Sequence, residues 1–256
     1  MPAHFLRRLT GRTRTRSANR QLGAALAFVA GAVNAGGFLA IQQYTSNMTG
    51  IVTSISEHLA LGNLVLAMAG LGALLAFISG AATTAVMVNW ARHRRMHSEY
   101  ALSLALEALL LLAFGLLGAN LSAFVAVFVP VTVLLLCFIM GLQNAVITKI
   151  SHAEIRTTHV TGLVTDLGIE LGKMFYWNRH HTQKSAHYVA ADRDKLLIHV
   201  TILAMFFIGG VAGALGFKAI GFLATLPLAA MLLLFASMPI LDDLFLASAG
   251  QSQPEN

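Results

Sequence analysis

Six long runs of apolar residues dominate this 256-residue chain. Each run approaches or exceeds the ~20 apolar residues that a helix needs to cross a bilayer. Hydrophobic residues make up 57% of the chain and charged residues 11%, against about 45–50% and roughly 25% in soluble domains. This composition excludes an ordinary soluble enzyme and favours an all-α polytopic membrane protein. The predicted spans are Leu22–Ile41, Leu64–Val88, Ala101–Leu117, Leu121–Ile147, Leu196–Phe217 and Ala219–Leu241.

Positive charges are distributed unevenly between the loops that six spans create. Sixteen of the seventeen Lys and Arg residues precede the first span or follow the second or fourth, and only Lys218 falls in a loop on the other side. Cytoplasmic loops carry an excess of Lys and Arg. We therefore predict that both termini are cytoplasmic, with a basic tail at residues 1–21, one membrane domain at 22–241 and a second tail at 242–256.

Three patterns from the first three spans recur, in the same order, in the last three. Two of them are F-[VI]-x-G-x-x-N-A and [ST]-x-x-T-G-x-V-T, and the third is a weaker F-I-x-G match. The matched pairs are Phe28–Ala35 with Phe138–Ala145, Ser46–Thr53 with Thr158–Thr165, and Phe77–Gly80 with Phe207–Gly210. Because each unit has an odd number of spans, the second copy enters the bilayer from the opposite side. We predict two inverted three-helix repeats, at about 22–117 and 121–241, which is typical of secondary transporters.

The T-G segments, Thr45–Leu61 and Thr157–Gly172, are too short and too polar to cross the bilayer. Apolar residues recur in them at i, i+4 and i+8, which predicts a short helix in each. These apolar residues are Ile51, Ile55, Leu59, Leu163, Leu167 and Leu171. The Thr and Ser residues ahead of each helix are favourable N-caps. Two interpretations stay open: a helix on the membrane surface, or a re-entrant half-helix whose N-terminal N–H groups face the midplane and attract anions.

The motifs Ser46–Gly50, Gly141–Ala145 and Arg156–Gly168 closely resemble the signatures of the YoaK family of bacterial membrane proteins. The resemblance extends over about residues 22–241. It implies a six-span protein of the bacterial inner membrane. It implies no activity, since the family is a domain of unknown function without established catalytic residues. Members commonly carry an acid in the first span where this chain has Asn34. The resemblance therefore does not imply that the first span of this chain takes part in proton coupling.

The candidate substrate-binding residues come from the T-G segments and from the Asn residues inside the spans. Thr hydroxyls would bind a solute, and Gly would allow it to approach the backbone closely. The two span Asn residues either line that site or hold the repeats together by hydrogen bonds. The candidates are Asn34, Asn47, Thr49, Gly50, Asn144, His159, Thr161 and Gly162.

Three acids are candidates for coupling or gating. Glu107 lies about 10 Å into the third span at ~1.5 Å per residue, and an intramembrane carboxylate is a functional hypothesis by default. The alternative is a neutral carboxyl that packs by a hydrogen bond, with His199, Asn34 or Asn144 as the partner. Asp166 and Glu170 share a helix face, where they form either a cation or proton site or a solvated surface.

No catalytic motif is present, neither a phosphate-binding Gly loop with Lys nor H-E-x-x-H or G-x-S-x-G. His180, His181 and His187 lie in a basic loop without ligands at zinc spacing. We expect no enzymatic activity, no metal, no cofactor and no nucleic acid. The expected partners are the lipid bilayer, a small solute or ion and a second copy of the chain. A secondary transporter is favoured, with a channel-like pore and a non-transport scaffold or sensor as alternatives.

Overall fold

The computed structural model describes residues 15–119, 125–151, 155–176 and 189–250, and every regular element in these ranges is helical. Two short helices lie among the long ones, and each carries a T-G motif in its first turn. The helices are α1 (Arg16–Ile41), α2 (Met48–Ala60), α3 (Leu64–His93), α4 (Ala101–Ala119), α5 (Val125–Ile150), α6 (Val160–Phe175), α7 (Arg193–Ile220) and α8 (Thr225–Gly250). A 3-10 helix at Gly221–Ala224 separates α7 from α8.

Five apolar segments in these ranges are long enough to cross a membrane. They are Ser17–Leu39, Leu64–His93, Ala101–Gly118, Val129–Ile150 and Arg193–Phe245. The fifth has 53 residues and contains both α7 and α8, so the fifth and sixth predicted spans form one apolar segment. Gly221 interrupts it with a φ of 60°, a left-handed conformation that Gly adopts without strain. The tail at 1–14, the loop at 120–124 and the three loop histidines lie outside the described residues.

The two short helices confirm the prediction from the i, i+4 pattern. Their apolar stripes are buried only at the first position, where Ile51 and Leu163 are each 5% exposed. Further along, Leu59 is 56% and Leu171 is 43% exposed. Each short helix therefore buries its apolar stripe only near its N-terminal end.

The long helices pack in pairs that join the two halves of the chain. Helix α1 packs along α7, α3 along α5, and α4 along α8, while α1 also touches α5. Helix α2 packs on α3, and α6 packs on α7. Helices α1 and α5 lie at the centre, with the largest buried share among the apolar segments. Each of the two short helices is thus held against the long helix that follows it in the chain.

Helices α1 and α7 approach so closely that their backbones touch. A methyl group added at Gly31 would overlap the carbonyl oxygen of Phe206, and one added at Gly209 would overlap the carbonyl oxygen of Phe28. Gly permits this contact because it has no Cβ. Each helix therefore contributes one Phe-x-x-Gly segment, and the two contacts are reciprocal.

Helices α3 and α5 repeat this arrangement. A methyl group at Gly80 would overlap the Phe138 carbonyl oxygen, and one at Gly141 would overlap the Phe77 carbonyl oxygen. The same Phe-x-x-Gly segment thus joins both central helix pairs. Neither pair would tolerate a larger residue at these glycines without moving apart.

The contacts correct the register of the third sequence match. The sequence matched Phe77–Gly80 with Phe207–Gly210, whereas the segment of α7 that makes the corresponding reciprocal contact is Phe206–Gly209. A methyl group at Gly210 would meet the Ala35 Cβ at an ordinary 3.7 Å. The sequence match was wrong by one residue, because the Phe-Ile letters aligned better than the glycines that make the contact.

Candidate solute-binding cavity

A cavity of about 540 Å³ lies where the first turns of α2 and α6 come together. Helices α1 and α5 contribute Asn34 and Asn144 to its lining, and α3 and α7 contribute Phe77 and Phe206. Its volume falls in the range of about 300–1,000 Å³ that is typical of small-molecule sites. We call it the central cavity, because equivalent elements from both halves of the chain form it.

Six of the eight predicted binding residues line the central cavity. They are Asn34, Asn47, Thr49, Asn144, His159 and Thr161. Gly50 lines a neighbouring cavity instead, and Gly162 is not part of the described lining of either one. Both glycines adjoin the cavity in sequence, and their role in binding stays a prediction.

The two span Asn residues fix the loops that lead into the short helices. The Asn34 Oδ1 accepts hydrogen bonds from the Ser46 hydroxyl at 2.9 Å and from the Ser46 N–H at 3.3 Å. The Asn144 Oδ1 accepts one from the Thr158 hydroxyl at 2.8 Å. The prediction that these Asn residues hold the repeats together is wrong for these oxygens, since each bonds to the loop that follows its own helix.

The hydroxyls of Ser46 and Thr158 are used in these bonds, and other residues form the N-caps of the short helices. The N-cap of α2 is Asn47, whose Oδ1 accepts the Gly50 N–H at 3.0 Å, and the N-cap of α6 is His159. The predicted Ser and Thr caps are wrong, because Ser46 and Thr158 bond to the span Asn residues instead.

The glycines of the T-G motifs make room for these N-cap side chains. A Cβ at Gly50 would lie 2.7 Å from the Asn47 Nδ2, and a Cβ at Gly162 would overlap the His159 ring. Both side chains fold over the glycine three residues later. The glycines therefore leave the space at the start of each short helix that its N-cap side chain occupies.

The start of α6 offers backbone donors to the central cavity. The His159 side chain makes no cap hydrogen bond. The N–H groups of Val160, Thr161 and Gly162 have no hydrogen-bond partner among the described residues, as expected for the first turn of a helix. Val160 and Thr161 line the cavity, so this uncapped turn adjoins it.

Phe77 and Phe206 show how far along the long helices the central cavity lies. Each sits near the middle of its helix, about 20 Å from the helix start at ~1.5 Å per residue. Each short helix begins at this level. Near the end of α6, the Glu170 carboxylate accepts the N–H of Asp192, the N-cap of α7. The short helix α6 therefore runs alongside the first half of the long helix that follows it, and α2 packs on α3 in the corresponding way.

The charges in the central cavity have one sign. Arg156 and His159 are its basic lining residues, and the described lining contains no Asp or Glu. The apolar part of the lining includes Phe77, Phe206 and Val160. The cavity thus combines a basic region with an apolar wall.

A second cavity of about 680 Å³ adjoins the first on the side where α1 ends. Tyr44 and Asn47 line both cavities. The Tyr44 ring stacks on Phe38 with 4.3 Å between the ring centroids. These two shared residues stand between the cavities, and the Tyr44 stack holds one of them in place.

The DUF1275 family, described as a protein family of unknown function, matches residues 22–238. The chain belongs to the DUF1275 family. It is 31% identical, over 161 residues, to the UPF0700 transmembrane protein YoaK of Bacillus subtilis (strain 168), a match that covers 61% of this chain and 69% of the relative. No solved structure matches the chain. The predicted resemblance to the YoaK family is confirmed, and the chain is an integral membrane protein.

In this DUF1275 protein, Glu107 lies apart from the central cavity. It is fully buried in α4, and neither carboxyl oxygen has a hydrogen-bond partner in the part of the chain that the structure describes. The predicted partners are wrong. His199 faces Asp166 at 3.8 Å, and the oxygens of Asn34 and Asn144 are used by the loops.

Glu170 joins α6 to the start of α7. Its carboxylate accepts hydrogen bonds of 2.8 Å from the Lys173 Nζ and 2.8 Å from the Asp192 N–H. These two hydrogen bonds lower the pKa of Glu170 below its ordinary value. The residue is 2% exposed, so the interpretation of a solvated face is wrong for Glu170.

Asp166 lies on the same helix but has different neighbours. Its Oδ2 is 3.8 Å from the Lys195 Nζ and 3.8 Å from the His199 Nε2, and its side chain is 42% exposed. The two carboxylates of α6 thus engage different partners. Among the described residues, no group of three His, Cys, Asp or Glu side chains could hold a metal ion.

Sequence reasoning assigned no binding role to several residues that line the central cavity, among them Tyr44, Arg156, Phe77 and Phe206. Tyr44 and Arg156 occupy corresponding positions, each two residues before the repeated [ST]-x-x-T-G pattern. That pattern was a signal that could have found these two residues. The third pattern included Phe77 but pointed to Phe207 rather than Phe206.

Proposed function

We propose that this DUF1275 protein is a secondary transporter or permease that moves a small solute through the central cavity. The observation that carries the proposal is the meeting of the two T-G helix starts in that one cavity. Transporters with internal repeats build their substrate sites in this way, from interrupted helices of both halves near the bilayer midplane. The Thr49 and Thr161 hydroxyls would bind the solute, with Asn34 and Asn144 fixing the loops behind them.

The proposal includes an inverted repeat of the two halves. In such a repeat, α5 is the counterpart of α1, and α7 is the counterpart of α3. The α1–α7 pair then corresponds to the α5–α3 pair, and both pairs pack closely. Both also carry the reciprocal Phe-x-x-Gly contacts. In the same way, the packing of α2 on α3 corresponds to that of α6 on α7. These correspondences support two similar halves that rock against each other during transport.

The proposal also includes six membrane crossings. As one straight helix, the 53 residues of Arg193–Phe245 would extend about 80 Å, well beyond the ~30 Å of the hydrocarbon core. The break at Gly221–Ala224 divides this segment into two helices of crossing length. Six crossings, together with the distribution of Lys and Arg, favour cytoplasmic termini in a bacterial inner membrane.

We further propose that α2 and α6 are re-entrant half-helices rather than surface helices. Both begin near the middle of a long helix. Beyond their first turns they expose apolar side chains that suit contact with lipid. These include Val52, Leu59, Val164, Ile169 and Phe175. Irregular backbone at this depth must be buried in protein or line a cavity, and the loops at Ser46 and Thr158 line the central cavity.

Glu107 is the proposed coupling or gating acid, because it is a buried carboxyl inside a long apolar helix and neither of its oxygens has a hydrogen-bond partner among the described residues. Asp166 and Glu170 are the other candidates for this role, and they lie further along α6 than the residues that line the cavity. Glu170 is the weaker of the two, since Lys173 and the Asp192 N–H already occupy its oxygens.

Flux into proteoliposomes tests the proposal. The purified chain would be reconstituted and assayed with anions, amino acids and cations. Thr49→Val and Thr161→Val remove the cavity hydroxyls and are expected to lower the flux of the transported solute at least tenfold. The matched controls Thr53→Val and Thr165→Val lie one turn further along the same helices, where each hydroxyl donates to a carbonyl of its own helix. Full flux in both cavity variants, or no flux of any solute, would contradict the proposal.

The same vesicles separate transport from the alternative functions. A transporter is expected to show trans-stimulation, in which unlabelled substrate on the far side accelerates uptake. A channel-like pore would give flux that rises linearly with concentration without trans-stimulation. A scaffold or sensor would give no flux and a stable partner in a pull-down.

A further inference from the structure

We propose that the central cavity binds a small organic anion, with its charged group near Arg156 and His159 and its apolar part against Phe77 and Phe206. The proposal deepens the transporter proposal above by naming its substrate class. It follows from the charges, the hydrogen-bonding groups and the size of the cavity.

Charge is the first argument. The described lining contains Arg156 and His159 and no acidic side chain. A guanidinium is permanently charged, and its planar donor geometry fits a carboxylate or a similar oxyanion. A cleft lined by one sign of charge and surrounded by low-dielectric walls concentrates ions of the opposite sign. Two described acids further along α6 engage other partners: Glu170 binds Lys173, and Asp166 lies beside Lys195. Glu154, two residues before Arg156, lies outside the described residues.

Hydrogen-bonding capacity is the second argument. Helices α1 and α5 bring the side-chain oxygens of Asn34 and Asn144 to the cavity. These oxygens already accept hydrogen bonds from Ser46 and Thr158, respectively. The Asn47 oxygen is likewise used by Gly50. Cations such as Ca²⁺ and Mg²⁺ need several oxygen ligands, and each of these three oxygens already accepts at least one hydrogen bond from the protein.

Donors, in contrast, remain available in the same cavity. The His159 ring makes no cap hydrogen bond, and the Val160 and Thr161 N–H groups have no partner among the described residues. These donors would supplement the Arg156 guanidinium in binding an anion and do not form a site by themselves. A ligand that accepts hydrogen bonds therefore suits this lining better than one that donates them.

Size and polarity indicate an organic rather than a monatomic anion. A volume of about 540 Å³ lies within the range of organic-ligand sites and is far larger than a halide requires. The Phe77 and Phe206 rings and the Met48 side chain provide apolar lining, which would stabilise the carbon skeleton of a ligand.

A cysteine placed in the cavity measures its preference for charge without knowledge of the natural ligand. Thr161→Cys would be introduced with Cys137→Ala, which removes the buried native thiol. The protein in lipid nanodiscs would react with two methanethiosulfonate reagents, one bearing a sulfonate and one a trimethylammonium group. After normalisation to a free thiol, the sulfonate reagent is expected to react about tenfold faster.

Variants of Arg156 assign this preference to its side chain. Arg156→Gln is expected to lower the rate ratio to about twofold, whereas Arg156→Lys keeps the charge and most of the ratio. The matched control is Arg94→Gln, because Arg94 lies over the Trp90 ring at the end of α3, away from the cavity lining. A ratio at or below one, or a ratio that Arg156→Gln leaves unchanged, would overturn the proposal. The Arg156→Lys variant keeps the test valid if Arg156→Gln does not fold.

Protection by three probes of the same ring size tests binding itself. Millimolar benzoate is expected to slow labelling at position 161 at least threefold, while benzamide and benzylammonium leave it unchanged. Protection by none of the three, or equal protection by all, would overturn the proposal.

These readings are independent of flux. Flux of a cation, together with a labelling-rate ratio below one, would support the transporter proposal and contradict the anion proposal. A preference for the anionic reagent without flux of any solute would support the anion proposal and contradict the transporter proposal.

Discussion

The side-chain oxygen of Asn144 accepts a 2.8 Å hydrogen bond from the hydroxyl of Thr158. The equivalent bond joins Asn34 to Ser46 at 2.9 Å. The Asn that both halves share therefore fixes the loop that precedes each T-G helix. Because the loop sets where the short helix begins, the shared Asn also sets the position of the cavity lining.

Asn144→Ala is expected to weaken the fold and the site together. It removes the acceptor for Thr158 and lowers the free energy of unfolding by about 0.5–1.5 kcal/mol. Unfolding in mixed micelles with increasing SDS measures this change. The matched control is Asn89→Ala, whose oxygen accepts only a 3.3 Å bond from Lys149 near the helix end. Equal losses in the two variants would show that the Thr158 bond has no special role.

Gly31→Ala and Gly80→Ala are expected to destabilise the protein by about 1–3 kcal/mol each. The added methyl group would overlap a carbonyl of the facing helix in both cases. Gly168→Ala on α6 is the control, because nothing lies within 4 Å of the position where its Cβ would be placed. That change is expected to leave stability equal or raised by about 0.5–1 kcal/mol. Thermal unfolding in detergent compares the three variants, and equal melting temperatures would contradict the close packing.

Glu170→Gln is expected to lower stability at neutral pH and to lose this effect in acid. The folded-state pKa of Glu170 is lowered by the hydrogen bonds from Lys173 and from the Asp192 N–H. A carboxylate with a lowered pKa contributes stability that is complete above its unfolded pKa of about 4.3 and is lost as the pH falls through the folded value. Melting temperatures of the wild type and the variant should therefore converge as the pH falls below the unfolded pKa and through the lower folded value. The exposed Glu57 provides the control Glu57→Gln, and a gap that persists in acid would contradict the prediction.

Glu107→Gln is expected to keep the fold and to remove the dependence of flux on a proton gradient. Gln has nearly the same shape as Glu but cannot exchange a proton, so the packing around α4 is retained. Uptake at equal and at opposed pH on the two sides of the vesicle measures the dependence. Ser103→Ala alters another fully buried polar side chain of α4 and should keep the response. A response unchanged in Glu107→Gln would remove Glu107 from the coupling role.

The sequence predicted the elements because these depend on neighbouring residues. Runs of apolar residues gave α1, α3 and α4 within a few residues of their observed bounds, and the i, i+4 pattern gave α2 and α6. The repeated motifs identified six of the cavity residues before any fold was known. Composition alone was the weakest guide to the division of Arg193–Phe245 into two spans, because the break at Gly221 lies within a continuous apolar run.

By itself, then, the sequence determined a membrane protein of apolar helices, since the length and hydropathy of a segment are local properties. The tertiary structure decided that Gly209 rather than Gly210 faces Phe28, that Glu170 is buried, and that Asn144 binds its own loop. A shift of one residue turns a helix face by about 100°. Hydrogen-bond and packing partners therefore depend on the rotation and offset between helices, which the pattern along a single helix leaves undetermined.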